Sequence, residues 1–328
     1  MMRAMVMPMA VLLIAGCAPR DAACLAPEAS ARGEGMRWVP AGRYLLGGPA
    51  LRGEEGPERL VALPGFWIGR TEVTNAQFAR FVAATGYRTL AERAPDPRAY
   101  PGVPAARLLP SSLVFVGLGE GGPWRIVPGA DWRHPEGPGS SLAGRANLPV
   151  VHIGHEDARA YARWAGGDLP SEDEWEVAAR GGLSRQRYSW GGAPPGGEGG
   201  AAPRANLWQG AFPIEDKGGD GYRARLAPVG CFAPNGYGLY DMAGNVWEWT
   251  RSPVPPAMRG GADRGAHLIK GGSYLCADNY CYRYRPAARS AGPADGGASH
   301  IGFRIVRRSR PQVPVSSGER RRLVARAP

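Results

Sequence analysis

Cysteine is scarce, with five residues in 328. That rules out a disulfide-dense scaffold, and the absence of a second Cys or His pair at ligand spacing argues against structural zinc. Histidine is as sparse (His134, His152, His155, His267 and His300), and there is no His-Glu-x-x-His, no P-loop and no Gly-x-Ser-x-Gly elbow. Zincin, nucleotide-phosphate and α/β-hydrolase chemistries are therefore set aside. His152 and His155 are close enough in sequence to form a metal pair, although an isolated pair of this kind is more often structural. A two-histidine, one-carboxylate iron site has no specific support. No internal repeat occurs, and no boundary divides residues 36–306.

Glycine (49) and proline (32) make up about a quarter of the chain, which alone would suggest disorder. Ten tryptophans, twelve tyrosines and seven phenylalanines point instead to a folded, loop-rich domain, because disordered chains are poor in aromatics. The formal charge is +11, but residues 307–328 hold seven arginines against one glutamate. This stretch reads as a basic disordered tail, and with no accompanying nucleic-acid motif no nucleic-acid partner is expected.

The N-terminus, MMRAMVMPMAVLLIAGC, has one arginine, an apolar stretch and then small residues leading into Cys17. It is too short for a committed membrane span. Ile14-Ala15-Gly16-Cys17 resembles a bacterial lipobox, which makes residues 1–16 a lipoprotein signal peptide and Cys17 the lipidation site, with an ordinary secretory signal as the alternative. Either reading exports the protein, to the periplasmic face or cell surface of a bacterial envelope. Residues 17–34 lack apolar periodicity and read as a tether.

Globular patterning begins with MRWVPAGRYLLGG and FWIGRTEVT, which read as short strands. A helix follows the capping box at Thr74–Gln77 and ends at Gly86; a second covers about 155–165; a third starts from the capping box at Ser171 and stops at Gly181-Gly182. From 186 to about 265 the pattern is mostly loop. Within it, Asn206 and Asp220, and then Asp241, Asn245 and Glu248, place amides beside carboxylates in a way that invites calcium, although no EF-hand spacing is present and spacing alone favours turn and capping roles.

The segment GGSYLCADNYCYRYR sets Cys276 and Cys281 five positions apart. A disulfide is one reading, favoured by an oxidising compartment. Copper(I) is another, because a soft ion can be held by two thiolates with room for a third sulfur. Spacing alone leaves both open.

Residues 36–306 resemble the formylglycine-generating enzymes, or sulfatase-modifying factors. The resemblance is carried by WRHPEGPGSS, LPSEDEWEVAARGG, ANLWQGAFP, PNGYGLYDMAGNVWEWT, KGGSYLCADNYCYRYRPAARS and IGFRIV. It implies an α+β fold with low regular secondary structure, related to C-type lectin folds, occupying 35–306 as one catalytic domain. It also implies copper(I) on Cys276 and Cys281, with a cysteine from a Cys-x-Pro-x-Arg-like segment of a sulfatase as the third sulfur. Dioxygen then binds nearby, the substrate Cβ loses hydrogen, and the resulting thioaldehyde hydrolyses to formylglycine. By the same resemblance Ser273 and Tyr280 line the dioxygen and substrate pocket, Trp247 stands near it, and His300 lies at its substrate-binding edge.

One or two calcium ions are further implied. The first would use Asn206 and Asp220 with the carbonyls of Leu207 and Tyr222; the second Asp241 and Glu248 with those of Met242, Gly244 and Val246. A monomer is expected. The chain departs from the family pattern at His300, where many relatives have Asn, and at His155, where Trp is usual. Cys24 and Cys231 match no family role. A non-catalytic envelope lipoprotein using the same fold as a binding or scaffold module is the alternative. A sulfoxide-synthase reading is disfavoured, because the three-histidine iron motif of that branch is missing.

Overall fold

A computed structural model describes residues 24–25, 35–48, 53–196, 202–258, 265–293 and 296–309. Cys17 and most of the basic tail lie outside the described residues. Strand β1 (Met36–Val39) pairs antiparallel with β4 (Phe66–Gly69), and β4 pairs with β11 (Val306–Arg307), so both ends of the domain meet in one three-stranded sheet. Val39, Phe66, Ile68 and Val306 turn inward from it onto Trp175, Leu239 and Met242. Two hairpins are inserted between its strands in the chain, β2 (Gly42–Leu46) with β3 (Arg59–Leu63) between β1 and β4, and β5 (Ser111–Phe115) with β6 (Trp124–Pro128) after β4. A four-stranded sheet takes the order β10-β7-β8-β9, from Ile301–Gly302, Trp247–Pro253, His267–Lys270 and Ser290–Ala291. Within it β10 runs parallel to β7 and the other pairs are antiparallel.

The three helices start and stop where the sequence punctuation places them. Helix α1 (Asn75–Thr85) begins with the Thr74 hydroxyl accepting the Gln77 N–H and the Gln77 side chain accepting the Thr74 N–H, and it ends on Gly86 at φ 66°. Such caps contribute about 1 kcal/mol each by satisfying otherwise orphaned N–H groups. Helix α3 (Glu172–Arg180) repeats the device with Ser171 and Glu174 and closes on left-handed Gly181. Helix α2 (His155–Trp164) packs on α1 through aromatic rings, Tyr161 stacking on Phe78 at 5.8 Å. No helix among the described residues is long and apolar enough to cross a membrane.

The Trp-Glu-Trp and Gly-Phe-Arg motifs meet in the interior. Arg304 is fully buried; it donates through Nε and Nη2 to the two oxygens of Glu248 (2.7 and 2.6 Å), and to the carbonyls of Gly69 and Tyr240. Glu248 also accepts from Trp175 Nε1 at 2.7 Å. One buried ion pair thus joins the four-stranded sheet, the three-stranded sheet and α3. Removing either partner would strand a charge in the core, at a cost of about 3–5 kcal/mol.

The ordered fold extends further at both ends than the pattern of apolar residues indicates. Cys24 and Leu25, assigned from sequence to the tether, are docked on the domain: Cys24 is disulfide-bonded to Cys231, and Leu25 N–H donates to the Gly230 carbonyl. Arg307, assigned to the tail, lies in β11, and Arg308 donates to Glu174 and Asp168. Charged and isolated residues like these carry no periodicity, so only their partners place them.

Candidate active site

The loop between β8 and β9 carries the cysteine pair. It leaves β8 through Gly271 and Gly272 at φ 94° and 71°, a left-handed path that favours glycine. A Cβ on Gly272 would also lie 3.2 Å from Cys276 Sγ and 2.9 Å from Tyr284 Cβ. Two successive tight turns follow, with Cys276 N–H donating to Ser273 O and Cys281 N–H to Ala277 O, at 2.9 and 3.0 Å. These turns fold the four intervening residues back and set the two thiols beside one another, close enough for each to shift the other's ionisation.

Neither thiol is in a disulfide, and both are buried. They are electrostatically unequal. Burial pushes Cys276 well above the usual thiol range, and the neighbouring Cys281 adds to this. Cys281 is lowered, first by the hydrogen bond from Cys276 and then by the backbone N–H and guanidinium of Arg283. The opposite directions set Cys281, beside Arg283, apart from the more deeply buried Cys276.

Of the residues expected at this site, Ser273 is fully buried and touches Cys276 directly, its N–H donating to Sγ at 3.4 Å while its hydroxyl accepts the Leu275 N–H. Trp247, in β7, belongs to the same core cluster as both cysteines. Tyr280, next to Cys281 in the chain, is 51% exposed, with its ring stacked on Phe212 at 4.1 Å. His300 reaches the site through Trp124, against which its ring lies at 4.7 Å, and its carbonyl accepts the Trp247 N–H. Burial holds its imidazole down at about 3, and Nδ1, buried, has no hydrogen-bond partner. The structure thus gathers Cys276, Cys281, Ser273, Tyr280, Trp247 and His300 into one region.

Sequence reasoning missed the aromatic wall. Phe115, Trp124, Trp208 and Phe212 pack edge-on and stacked beside Tyr280, and the Trp208 N–H donates to the Cys276 carbonyl. Trp208 and Phe212 lie inside the ANLWQGAFP motif, but nothing in its spacing shows that they face the cysteines.

The first expected calcium site is coherent. Asn206 is buried with Oδ1 lacking any hydrogen-bond partner, and Asp220 accepts the Leu207 and Tyr222 N–H groups, both at 2.9 Å. Burial raises the Asp220 pKa. A buried orphan oxygen beside an acid whose negative charge is opposed by burial fits a hard cation. The second site divides differently from the expectation. Glu248 is engaged on both oxygens by Arg304, so its charge is already matched. The unmatched oxygens belong to Asp241 (Oδ1) and to Glu72 (Oε2), a residue the sequence did not single out. Burial raises both acids, Asp241 to about 6. Met242, Gly244 and Val246 follow Asp241 along the same loop into β7. Gly244 takes φ 77°, and a Cβ there would lie 2.1 Å from the Asn206 carbonyl oxygen, so only glycine lets the two acid-bearing loops approach.

His152 and His155 do not form a metal pair. The His152 nitrogens are taken by Ser112 Oγ (2.8 Å) and the Pro135 carbonyl (2.9 Å), while His155 stacks on His267 at 3.4 Å.

The whole described domain matches the family model of the sulfatase-modifying factor enzyme 1-like domain, over residues 22–309. The chain belongs to this family. It is 48% identical over 292 residues to the formylglycine-generating enzyme of Thermomonospora curvata, covering 83% of this chain and 93% of that one. It is 46% identical to the formylglycine-generating enzyme of Mycobacterium tuberculosis, covering 82% and 96%. A mouse relative named inactive C-alpha-formylglycine-generating enzyme 2 is 40% identical, covering 83% and 85%, so membership alone does not decide activity. Among solved structures, PvdO from Pseudomonas aeruginosa is similar with a TM-score of 0.54 at 26% identity, covering 83% of this chain and 93% of that one.

Proposed function

We propose that this chain is a copper-dependent formylglycine-generating oxidase, converting a cysteine in a Cys-x-Pro-x-Arg-like segment of a sulfatase to Cα-formylglycine with dioxygen. The observation that carries the reading is the buried, unbonded Cys276–Cys281 pair, with the Ser273 N–H on one sulfur and Arg283 against the other. Cys276 and Cys281 would hold copper(I), which supplies one-electron redox chemistry and a soft position for a substrate sulfur.

The remaining residues prepare that site. Arg283 and the Cys276 thiol keep negative charge on Cys281. Ser273 orients Cys276 through its backbone N–H and its hydroxyl. Tyr280, half exposed and held by stacking on Phe212, presents a phenol to an incoming peptide. His300 stays neutral at physiological pH and, packed against Trp124, backs the substrate-binding edge with an uncharged ring. Calcium would be structural, on Asn206 and Asp220 and, at a second position, on Asp241 with Glu72.

Export with a lipid anchor at Cys17 completes the proposal. The Cys24–Cys231 disulfide supports it, because such bonds persist in oxidising compartments. The test is to load the reduced protein with copper(I), add a Cys-x-Pro-x-Arg peptide in air and follow the peptide by mass spectrometry. Copper-dependent conversion of the cysteine to an aldehyde is expected. An unchanged peptide with copper bound and the fold intact would overturn the proposed substrate motif, and an unchanged peptide with no copper bound would overturn the reaction and favour the scaffold alternative.

A further inference from the structure

The Cys24–Cys231 disulfide plays no part in the chemistry above, yet it joins residues 207 apart in sequence. The segment it ties down is also seated non-covalently. Leu25 N–H donates to the Gly230 carbonyl at 3.3 Å, and Asn147 Nδ2 donates to the Leu25 carbonyl at 2.9 Å. The Leu25 side chain covers Gly230 so closely that a Cβ there would lie 2.6 Å from its Cγ. Tyr222 donates its hydroxyl to Cys231 Sγ at 3.3 Å, closing the cluster with Phe232 and Ala227.

Cys24 follows Cys17, the lipobox cysteine, by seven residues, whereas β1 begins only at Met36. We infer that the disulfide, and not the chain entering β1, is the point at which the lipid anchor holds the domain, and that this attachment is released by thiol reduction. The inference rests on the lipid-anchor reading proposed above. A fully extended chain spans at most about 3.6 Å per residue, so the leash from Cys17 shortens from about 70 Å to about 25 Å. Cys231 is then kept within about 25 Å of the lipid surface. Release is a thiol–disulfide exchange: a dithiol reductant breaks the S–S bond, Cys24 and Cys231 each gain a proton and become thiols, and the reductant is oxidised to its own disulfide.

The test uses the full chain, purified from host membranes and placed in vesicles of phosphatidylethanolamine and phosphatidylglycerol. Residues 27–33 are replaced by the recognition sequence of a site-specific protease, and cutting is confirmed on a reducing gel. After cutting, the domain is expected to sediment with the vesicles and to leave them only when dithiothreitol is added. Cys24→Ser and Cys231→Ser should each leave on cutting alone. Release of the unsubstituted protein on cutting without reductant would overturn the inference. A chain with no acyl group on Cys17 and no vesicle binding before cutting would also overturn it, through its premise, and that failure is separately visible in the intact mass.

Discussion

The two cysteine pairs of this molecule behave in opposite ways. Cys24 and Cys231, 207 residues apart, are joined; Cys276 and Cys281, five positions apart in one loop, are not. Nearness in sequence therefore does not set the bonding state. The distant pair is surrounded by fixed backbone contacts from Leu25, Gly230 and Asn147, and tying it restricts a long loop. The close pair sits where the Ser273 N–H points at one sulfur and Arg283 at the other, an arrangement that stabilises charge on sulfur. The first pair holds the fold and the second is prepared for chemistry.

The sharpest way to break this contrast is to remove one member of each pair. Cys276→Ser and Cys281→Ser should each reduce aldehyde formation to background and abolish copper(I) binding, with thermal denaturation showing a midpoint within a few degrees of the parent. Retained turnover in either would remove the pair from the mechanism. Cys24→Ser should do the reverse: peptide conversion well below the melting temperature is kept, while stability falls by an amount that loop-entropy reasoning puts at up to about 4–5 kcal/mol, read from denaturant titrations.

Gly244 lies between the two regions, its loop bridging to Asn206, which adjoins both Trp208 at the cysteine pair and the loop that returns through Asp220 and Tyr222 to the disulfide. Gly244→Ala should cost about 3 kcal/mol, from left-handed strain together with the clash against Asn206. An unchanged melting curve would show that the bridge is loose. Calcium chelation should lower stability by about 2–3 kcal/mol relative to saturating calcium, and re-addition should restore it. Insensitivity to chelator would leave the orphan oxygens of Asn206 and Asp241 without that explanation.

The smallest effect separates protonation from redox state. His152 and His155 are held down to about 4 and about 3 by burial, so each is neutral in the folded protein where the unfolded chain, near 6.5, takes up a proton. Asp131 and Glu136 oppose the shift at His152; at His155, Arg159 and His267 reinforce it and Asp168 opposes it. The histidine contribution to stability is thus full above pH 6.5 and declines as pH falls from there toward 4, by up to about 1.4 kcal/mol per pH unit for a fully buried histidine. Buried Asp157 and Asp241, both raised to about 6, take up protons over the same interval and oppose that decline. The histidines are therefore read directly, by NMR: the His152 and His155 ring signals should not titrate between pH 7 and pH 5, and titration there would contradict the buried neutral histidines.

Much of this was legible in the residues. The helices announced themselves because capping boxes and terminal glycines are local devices, and Thr74, Ser171, Gly86 and Gly181 do what such residues do elsewhere. The cysteine segment and its Ser273 and Tyr280 neighbours were readable because they lie within eight positions of one another. What could not be read was long-range: Cys24 with Cys231, Arg304 with Glu248, Glu72 beside Asp241, and the wall of Trp124 and Phe212 around Tyr280. Each of these depends on tertiary approach across dozens to hundreds of residues, and neither periodicity nor spacing encodes it.

The central claim is that one pair is a disulfide while the other rests as a polarised dithiol. It is tested most directly by purifying the full chain in air without reductant, denaturing it in the presence of an alkylating agent, and mapping the cysteines by mass spectrometry. Alkyl groups are expected on Cys276 and Cys281, with a linked peptide joining Cys24 to Cys231. A linked Cys276–Cys281 peptide, or alkylated Cys24 and Cys231, would contradict it.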